Sequence, residues 1–307
     1  MPRFNEIDPL QPLAALGVED VIGTQPVSGG MDALLWRVDT PRGSYALRLF
    51  RPDQRGQCTG EVRAMQIAGA LDVPVPRIAA HGAWGDRPAI LMEWCEGRPI
   101  LDAALDHFEL CDSLGRSMGR LQARMHAISL PESLCENHRR WLNRAGPGED
   151  QLRARLLASG LRDGHILHLD FHPLNILCRG GQATVILDWA NATVGDPHAD
   201  VARTLSIFRL IPPPPGPDAS RFAAAFATLE RAWLEGYAEV AGPLPDLALF
   251  DVWAGAYFVR DLAQHVGKPG FWLQPADFDR IRESNAALRR AVGLAESPSA
   301  GTSHQET

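Results

Sequence analysis

The chain has 307 residues, 45% of them hydrophobic and 22% charged, and a net charge of −7. This is ordinary composition for a folded globular protein, long enough for two lobes around a shared cleft. The acidic balance gives a nucleic-acid partner no electrostatic support. Cys58, Cys95, Cys111, Cys135 and Cys178 are scattered and include no C-x-x-C pair. That argues against a disulfide scaffold or a zinc site and for a reducing compartment. No charged-then-apolar leader opens the sequence, and no apolar run approaches the roughly 20 residues of a membrane span. A cytoplasmic protein with neither membrane nor nucleic-acid partner is expected.

Residues 1–95 read as a β-rich lobe with one helix. Pro26-Val27-Ser28-Gly29-Gly30-Met31-Asp32 is a glycine loop, followed by an apolar strand over 33–38 and a turn at Thr40-Pro41-Arg42-Gly43. Tyr45-Ala46-Leu47-Arg48-Leu49 then alternates as a strand should. Ala46 and Arg48, two apart, face the same side. Thr59 is placed to cap a helix carrying Glu61, Val62 and Met65, ending before Val73-Pro74-Val75-Pro76. Further strands are expected at 77–81 and 89–94, and Glu93-Trp94-Cys95-Glu96-Gly97-Arg98 leads out of the lobe. Residues 96–295 read as a second, mainly helical lobe. Leu110, Leu114, Met118, Leu121 and Met125 recur every three or four residues, the stripe of a helix packing into a core. Helical stretches follow at 219–240, 247–266 and 276–295, after a stiff proline run at 212–217. The tail from residue 296 reads as disordered.

The most informative stretch, residues 165–200, reads HILHLDFHPLNILCRGGQATVILDWANATVGDPHAD. Two apolar runs, Ile176-Leu177-Cys178 and 183–187, flank Arg179-Gly180-Gly181-Gln182 and read as an antiparallel hairpin. Folding that hairpin returns Asp188 to the end where Asn175 starts. Mg²⁺ takes one or two hard oxygen ligands from protein and the rest from phosphates and water, and Asn175 and Asp188 could supply the two. Asp170 would accept a hydrogen bond from an attacking hydroxyl and orient it toward a γ-phosphate. The Asp170 to Asn175 spacing matches the catalytic loop of kinases. The plainer alternative makes all three turn residues capping strand ends.

His168, Asp170, His172, Pro173, Asn175, Asp188, Trp189, Gly195-Asp196-Pro197 and Asp200 together resemble the signature of the aminoglycoside phosphotransferase family, the kinase-like small-molecule phosphotransferases that include choline kinases. Leu169 departs from it, standing where that family often has Gly, a change expected to cost only backbone freedom. The resemblance implies an α+β, protein-kinase-like bilobal fold with the nucleotide in the cleft. It makes Asp170 the catalytic aspartate, and Asn175 and Asp188 the metal ligands. Ser28, Gly29 and Gly30 would cover the nucleotide phosphates. Arg48, in place of the usual Lys, would reach them while paired with Glu61, and backbone groups of Glu93 and Cys95 would meet the base. Asp32 replaces the family's common Asn. His168, His172, Asp196 and Asp200 are read as structural support, since a buried carboxylate needs partners. His126 is read as structural too.

These features predict an ATP-dependent phosphotransferase using Mg²⁺, with ATP as cosubstrate (GTP is the open alternative) and a small-molecule hydroxyl as acceptor. A choline, amino-alcohol or sugar kinase of the same fold is the nearest alternative. A protein kinase is disfavoured: Leu169 replaces the arginine of H-R-D, Trp189-Ala190 follows Asp188 in place of Phe-Gly, and no A-P-E triplet follows. A metal-dependent hydrolase using His168, Asp170 and His172, or a nucleotide-binding pseudoenzyme, are the readings from other classes. In the family the acceptor lies on the C-terminal helices. There Asp251, Asp261, Asp277 and Asp279 could meet ammonium groups, or Trp253, Tyr257 and Trp272 a quaternary ammonium. Solvated faces and core packing are the alternatives for these residues.

Overall fold

The computed structural model describes residues 7–27, 33–135, 139–268 and 273–295. Ser28, Gly29, Gly30, Asp32, Trp272 and the tail from residue 296 lie outside the described residues. In chain order the elements are α1 (Leu10–Ala15), β1 (Gly23–Pro26), β2 (Ala33–Thr40), β3 (Gly43–Phe50), α2 (Arg55–Ala70), β4 (Ile78–Trp84), β5 (Arg87–Glu93), β6 (Arg98–Pro99), α3 (Ile100–Asp106) and α4 (Cys111–His126). There follow α5 (Asp150–Ala158), β7 (His165–Leu167), β8 (Ile176–Arg179), β9 (Gln182–Ile186), β10 (Thr193–Gly195), α6 (Pro197–Leu210), α7 (Ala219–Ala241), α8 (Ala248–Ala263) and α9 (Pro275–Ala291). The chain divides into two compact units, residues 1–102 with 173–192, and residues 103–172 with 193–307.

The first unit is built on an antiparallel sheet ordered β1-β2-β3-β5-β4. Directly opposed residues share a face, so the pairs Leu35/Arg48, Arg37/Ala46, Ala46/Met92 and Arg48/Ile90 put these side chains on one side. The opposite face buries Trp36, Val38, Leu47, Leu49, Ala89 and Leu91 with Leu13 of α1, forming the unit's core. The helix expected to start at Thr59 begins a turn earlier. Pro52 sets a short 3₁₀ turn that leads into α2 at Arg55, and the Thr59 hydroxyl bonds back to the Arg55 carbonyl at 3.0 Å from within the helix. The hairpin of β8 and β9 turns on Gly180 and Gly181, both at positive φ as a two-residue turn of the primed type demands. Its outer neighbour is β6, paired through Arg98/Cys178 and Pro99/Leu177.

Among its described residues the second unit is mainly helical, with the short antiparallel pair of β7 and β10. Leu114, Met118 and Met125 of the α4 stripe are buried, as are Ala225, Leu229 and Trp233 of α7. These two helices approach closely because glycines line their contact. A Cβ at Gly119 would meet the Trp233 carbonyl oxygen, and one at Gly236 would meet the Arg116 carbonyl. Trp141 and Trp253 pack edge to face at 4.9 Å between centroids, both fully buried. Among the described residues, no helix is long and apolar enough to cross a membrane.

Candidate active site

In the first unit, four of the residues singled out by sequence converge. The Arg48 Nη1 donates to Glu61 Oε1, and its Nη2 lies 3.7 Å from Asp188 Oδ1. Glu61 is only 1% exposed. Burial pushes its carboxyl up to about 7, with Asp188 adding to the effect and Arg48 offsetting part of it. Asp188 adopts a left-handed backbone, φ 57 and ψ 73, where the chain leaves β9. The Leu187 amide donates to the Asn175 carbonyl at 2.8 Å, so the hairpin closes with Asn175 and Asp188 at one end. Trp189 is buried behind them, its Nε1 donating to the Ile186 carbonyl at 3.0 Å.

The segment after β5 is pinned by backbone bonds. The Glu93 amide donates to the Arg77 carbonyl at 2.9 Å and the Trp94 amide to the Ser44 carbonyl at 3.0 Å. The Cys95 thiol reaches the Glu93 carbonyl only weakly, at 3.8 Å, and burial raises its pKa. Arg37, unnoticed in the sequence, lies on the same sheet face as Ala46 and Arg48. Its guanidinium sits 5.2 Å from the Trp94 ring centroid and is held by Asp39 at 3.2 Å and Ser44 at 3.3 Å.

In the second unit, Asp170 lies in the loop that follows β7. Burial alone would raise its carboxyl, but His172, Arg203 and His168 outweigh that effect and hold it well below the usual carboxylate range. The His172 Nε2 lies 3.7 Å from Asp170 Oδ1, and the Asp170 amide donates to His168 Nδ1 at 3.3 Å. Asp200, fully buried, accepts the amides of His168 at 3.1 Å and Leu169 at 2.6 Å and contacts His126 Nε2 at 2.9 Å. His126 Nδ1 in turn meets the Tyr237 hydroxyl at 2.9 Å. Desolvation raises the Asp200 carboxyl, yet these partners leave it lowered. Asp196 caps α6, accepting the His198 amide at 2.9 Å and the Arg162 amide at 2.7 Å.

Leu169 corrects an expectation. The residue stands at φ 60, so the departure from Gly costs more than backbone freedom: a side chain there is disfavoured by roughly 1–2 kcal/mol. Two further expectations change. Trp253 is fully buried against Trp141 and offers no face to a cation. Of the acids named for ammonium groups, Asp261 pairs with Arg203 at 3.1 Å, Asp277 with Arg280, and exposed Asp279 lies 3.9 Å from Arg282, whereas burial raises the carboxyl of Asp251. Arg203 was missed, although its spacing of three from Asp200 sets both on one face of α6.

The profile of the phosphotransferase enzyme family, APH, matches residues 23–242. Among solved structures, a thermostable mutant of aminoglycoside phosphotransferase APH(4)-Ia in ternary complex with AMP-PNP and hygromycin B is similar at a TM-score of 0.61 and 14% identity, covering 94% of this chain and 100% of that one. The macrolide 2'-phosphotransferase MphH from Brachybacterium faecium is similar at a TM-score of 0.52 and 24% identity, covering 96% and 98%. An aminoglycoside-3'-phosphotransferase of type VIII gives a TM-score of 0.54 at 17% identity, covering 81% and 98%. No curated protein sequence matches the chain. A small antiparallel-sheet lobe and a helical lobe, α+β in the protein-kinase-like manner, are common to these structures and this one. With its family profile spanning most of the sequence, the chain belongs to the phosphotransferase enzyme family.

Proposed function

We propose that the protein transfers the γ-phosphoryl group of ATP to a hydroxyl of a small molecule. The observation that carries the reading is the arrangement of Arg48 against both Glu61 and Asp188. A guanidinium anchored by a buried carboxylate is a phosphate-binding group held in place. Asn175 and Asp188 fit a divalent cation: an amide oxygen and a partly exposed carboxylate, at one end of a closed hairpin, are the hard donors Mg²⁺ prefers. When bound, the cation would neutralise charge on the nucleotide phosphates. Ser28, Gly29 and Gly30 would add backbone amides, and the Glu93 carbonyl and Cys95 amide would meet the base.

Asp170 would take the acceptor. Kept ionised by His172, Arg203 and His168, it accepts a hydrogen bond from the acceptor hydroxyl. The oxygen then bonds to the γ-phosphorus as the bond to the β-phosphate oxygen breaks. ADP leaves with that electron pair, and the hydroxyl proton passes to Asp170 and then to water. A metal hydrolase finds less support, since no group of three His, Cys, Asp or Glu side chains suited to a metal occurs among the described residues.

For the acceptor, the arginine partners of Asp261, Asp277 and Asp279 and the burial that raises the Asp251 carboxyl weaken the case for a polycation, and buried Trp253 gives little for choline. A polar hydroxyl compound with few ammonium groups fits better. ATP consumption measured across sugars, nucleosides, amino alcohols, aminoglycosides and macrolides tests this. Turnover lowered at least about a hundredfold by Asp170→Asn is the expected result, and no turnover on any hydroxyl compound despite Mg·ATP binding would favour a pseudoenzyme.

A further inference from the structure

Arg203 stands on α6 and is 2% exposed. A charged side chain is rarely so buried unless it is paired. Its Nε donates to the Leu169 carbonyl at 3.3 Å and its Nη2 to Asp261 Oδ2 at 3.1 Å. The guanidinium lies 4.4 Å from the Tyr257 ring centroid and 4.8 Å from that of Phe258. Nη1 has no hydrogen-bond partner among the described residues.

The Leu169 carbonyl and the Asp170 amide belong to one planar peptide. Arg203 holds that peptide by its oxygen, and His168 Nδ1 accepts from its nitrogen. The plane from which the Asp170 side chain departs is therefore fixed at both ends. It needs fixing, because Leu169 occupies a left-handed conformation that an L-residue would leave if it were free to. The titratable and charged groups that act on the Asp170 carboxyl include His172, Arg203 and His168, with Tyr257 also close. Arg203 is the one among them that reaches α8.

The structure assigns to Arg203 a positioning role: by clamping the Leu169–Asp170 peptide and tying it to Asp261 and Tyr257 of α8, it sets where the Asp170 carboxylate meets the acceptor. This rests on Asp170 being the residue that receives the acceptor hydroxyl. Arg203 itself touches neither the nucleotide nor the acceptor in this assignment. It acts through the geometry and charge state of Asp170, and a side chain misplaced by about 1 Å can cost about a hundredfold in rate.

The test pairs a kinetic readout with one that needs no acceptor. Arg203→Met should lower kcat at least tenfold while the KM for Mg·ATP stays within about twofold. In full-length protein carrying ¹³C-labelled aspartate, the Asp170 carboxyl signal should titrate at higher pH in Arg203→Met than in wild type. Arg203→Lys, which keeps the charge and loses the fork, should restore the titration more fully than kcat. Asp261→Asn, at a side chain 40% exposed, should shift both readouts in the same direction by less, and it decides the matter if Arg203→Met does not fold. Wild-type kcat together with an unmoved Asp170 titration in a folded Arg203→Met variant overturns the assignment while leaving phosphotransfer standing. A moved titration in a protein that phosphorylates no hydroxyl compound does the reverse.

Discussion

Arg48 Nη2 stands 3.7 Å from Asp188 Oδ1 while Nη1 of the same guanidinium holds Glu61. One planar fork thus spans a buried carboxylate on α2 and a half-exposed one at the end of β9. A lysine ammonium is a single point charge and cannot occupy both positions at once. The arginine at this strand position thus has a two-carboxylate geometry of its own.

Arg48→Met should weaken Mg·ATP binding by about tenfold to a hundredfold, the range for losing charge-assisted hydrogen bonds worth roughly 1.5–3 kcal/mol. Arg48→Lys should recover part of this loss, since charge returns without the fork. Isothermal titration with a non-hydrolysable nucleotide measures both. Equal binding by Arg48→Met and wild type would remove Arg48 from the nucleotide site.

Asp170→Asn keeps the shape of the side chain and removes its basicity. Loss of a positioned proton acceptor costs about a hundredfold to ten-thousandfold, so kcat should fall into that range with Mg·ATP affinity nearly unchanged. Comparing kcat with a separately measured nucleotide Kd makes the distinction. A matching loss of both would mean that Asp170 serves the fold or the nucleotide instead.

Much of this was legible in the sequence where local rules decide. Gly180-Gly181 between two apolar runs specifies the hairpin, and the alternation over 45–49 places Ala46 and Arg48 on one face. The start of α2 was misread because Pro52 opens a helix more firmly than Thr59 caps one. Arg37 was not legible, since its neighbourhood with Trp94 arises from pairing between strands distant in sequence. Arg203 escaped for a different reason: a charge in a largely apolar helix reads as the solvent side, whereas here it is buried and bonds to the Leu169 carbonyl and to Asp261. Trp253 shows the converse limit, because aromatic spacing on a helix is the same for a ligand face and a core stripe.

Asp200 sets an acid limit on stability. Its carboxyl binds a proton more weakly in the folded protein than in the unfolded chain, where about 3.9 applies. Its contribution is thus complete above that unfolded value and is lost as pH falls through the lower folded one. Thermal unfolding of the wild type should drop steeply below about pH 4. Asp200→Asn should unfold at lower temperature at pH 7, having broken a buried network worth about 3 kcal/mol or more, and should lose less on acidification. Parallel pH profiles for the two proteins would show that Asp200 carries no such linkage.

Gly119→Ala tests the packing beneath the site independently of any chemistry. A methyl at this position on α4 would meet the Trp233 carbonyl and the Tyr237 amide of α7, both backbone atoms that no rotamer change can move aside. Helix propensity alone favours the substitution by about 0.8–1 kcal/mol, so the two effects oppose each other. Overpacking of a close helix contact typically costs 1–3 kcal/mol, and forcing two long helices apart lies at the upper end of that range. The variant should therefore be less stable, with a lower Tm. Tyr237 also meets His126, which in turn contacts Asp200, so kcat should fall as well, by a smaller factor than in Asp170→Asn. A Tm at or above wild type would mean that propensity wins and that the two helices separate without cost.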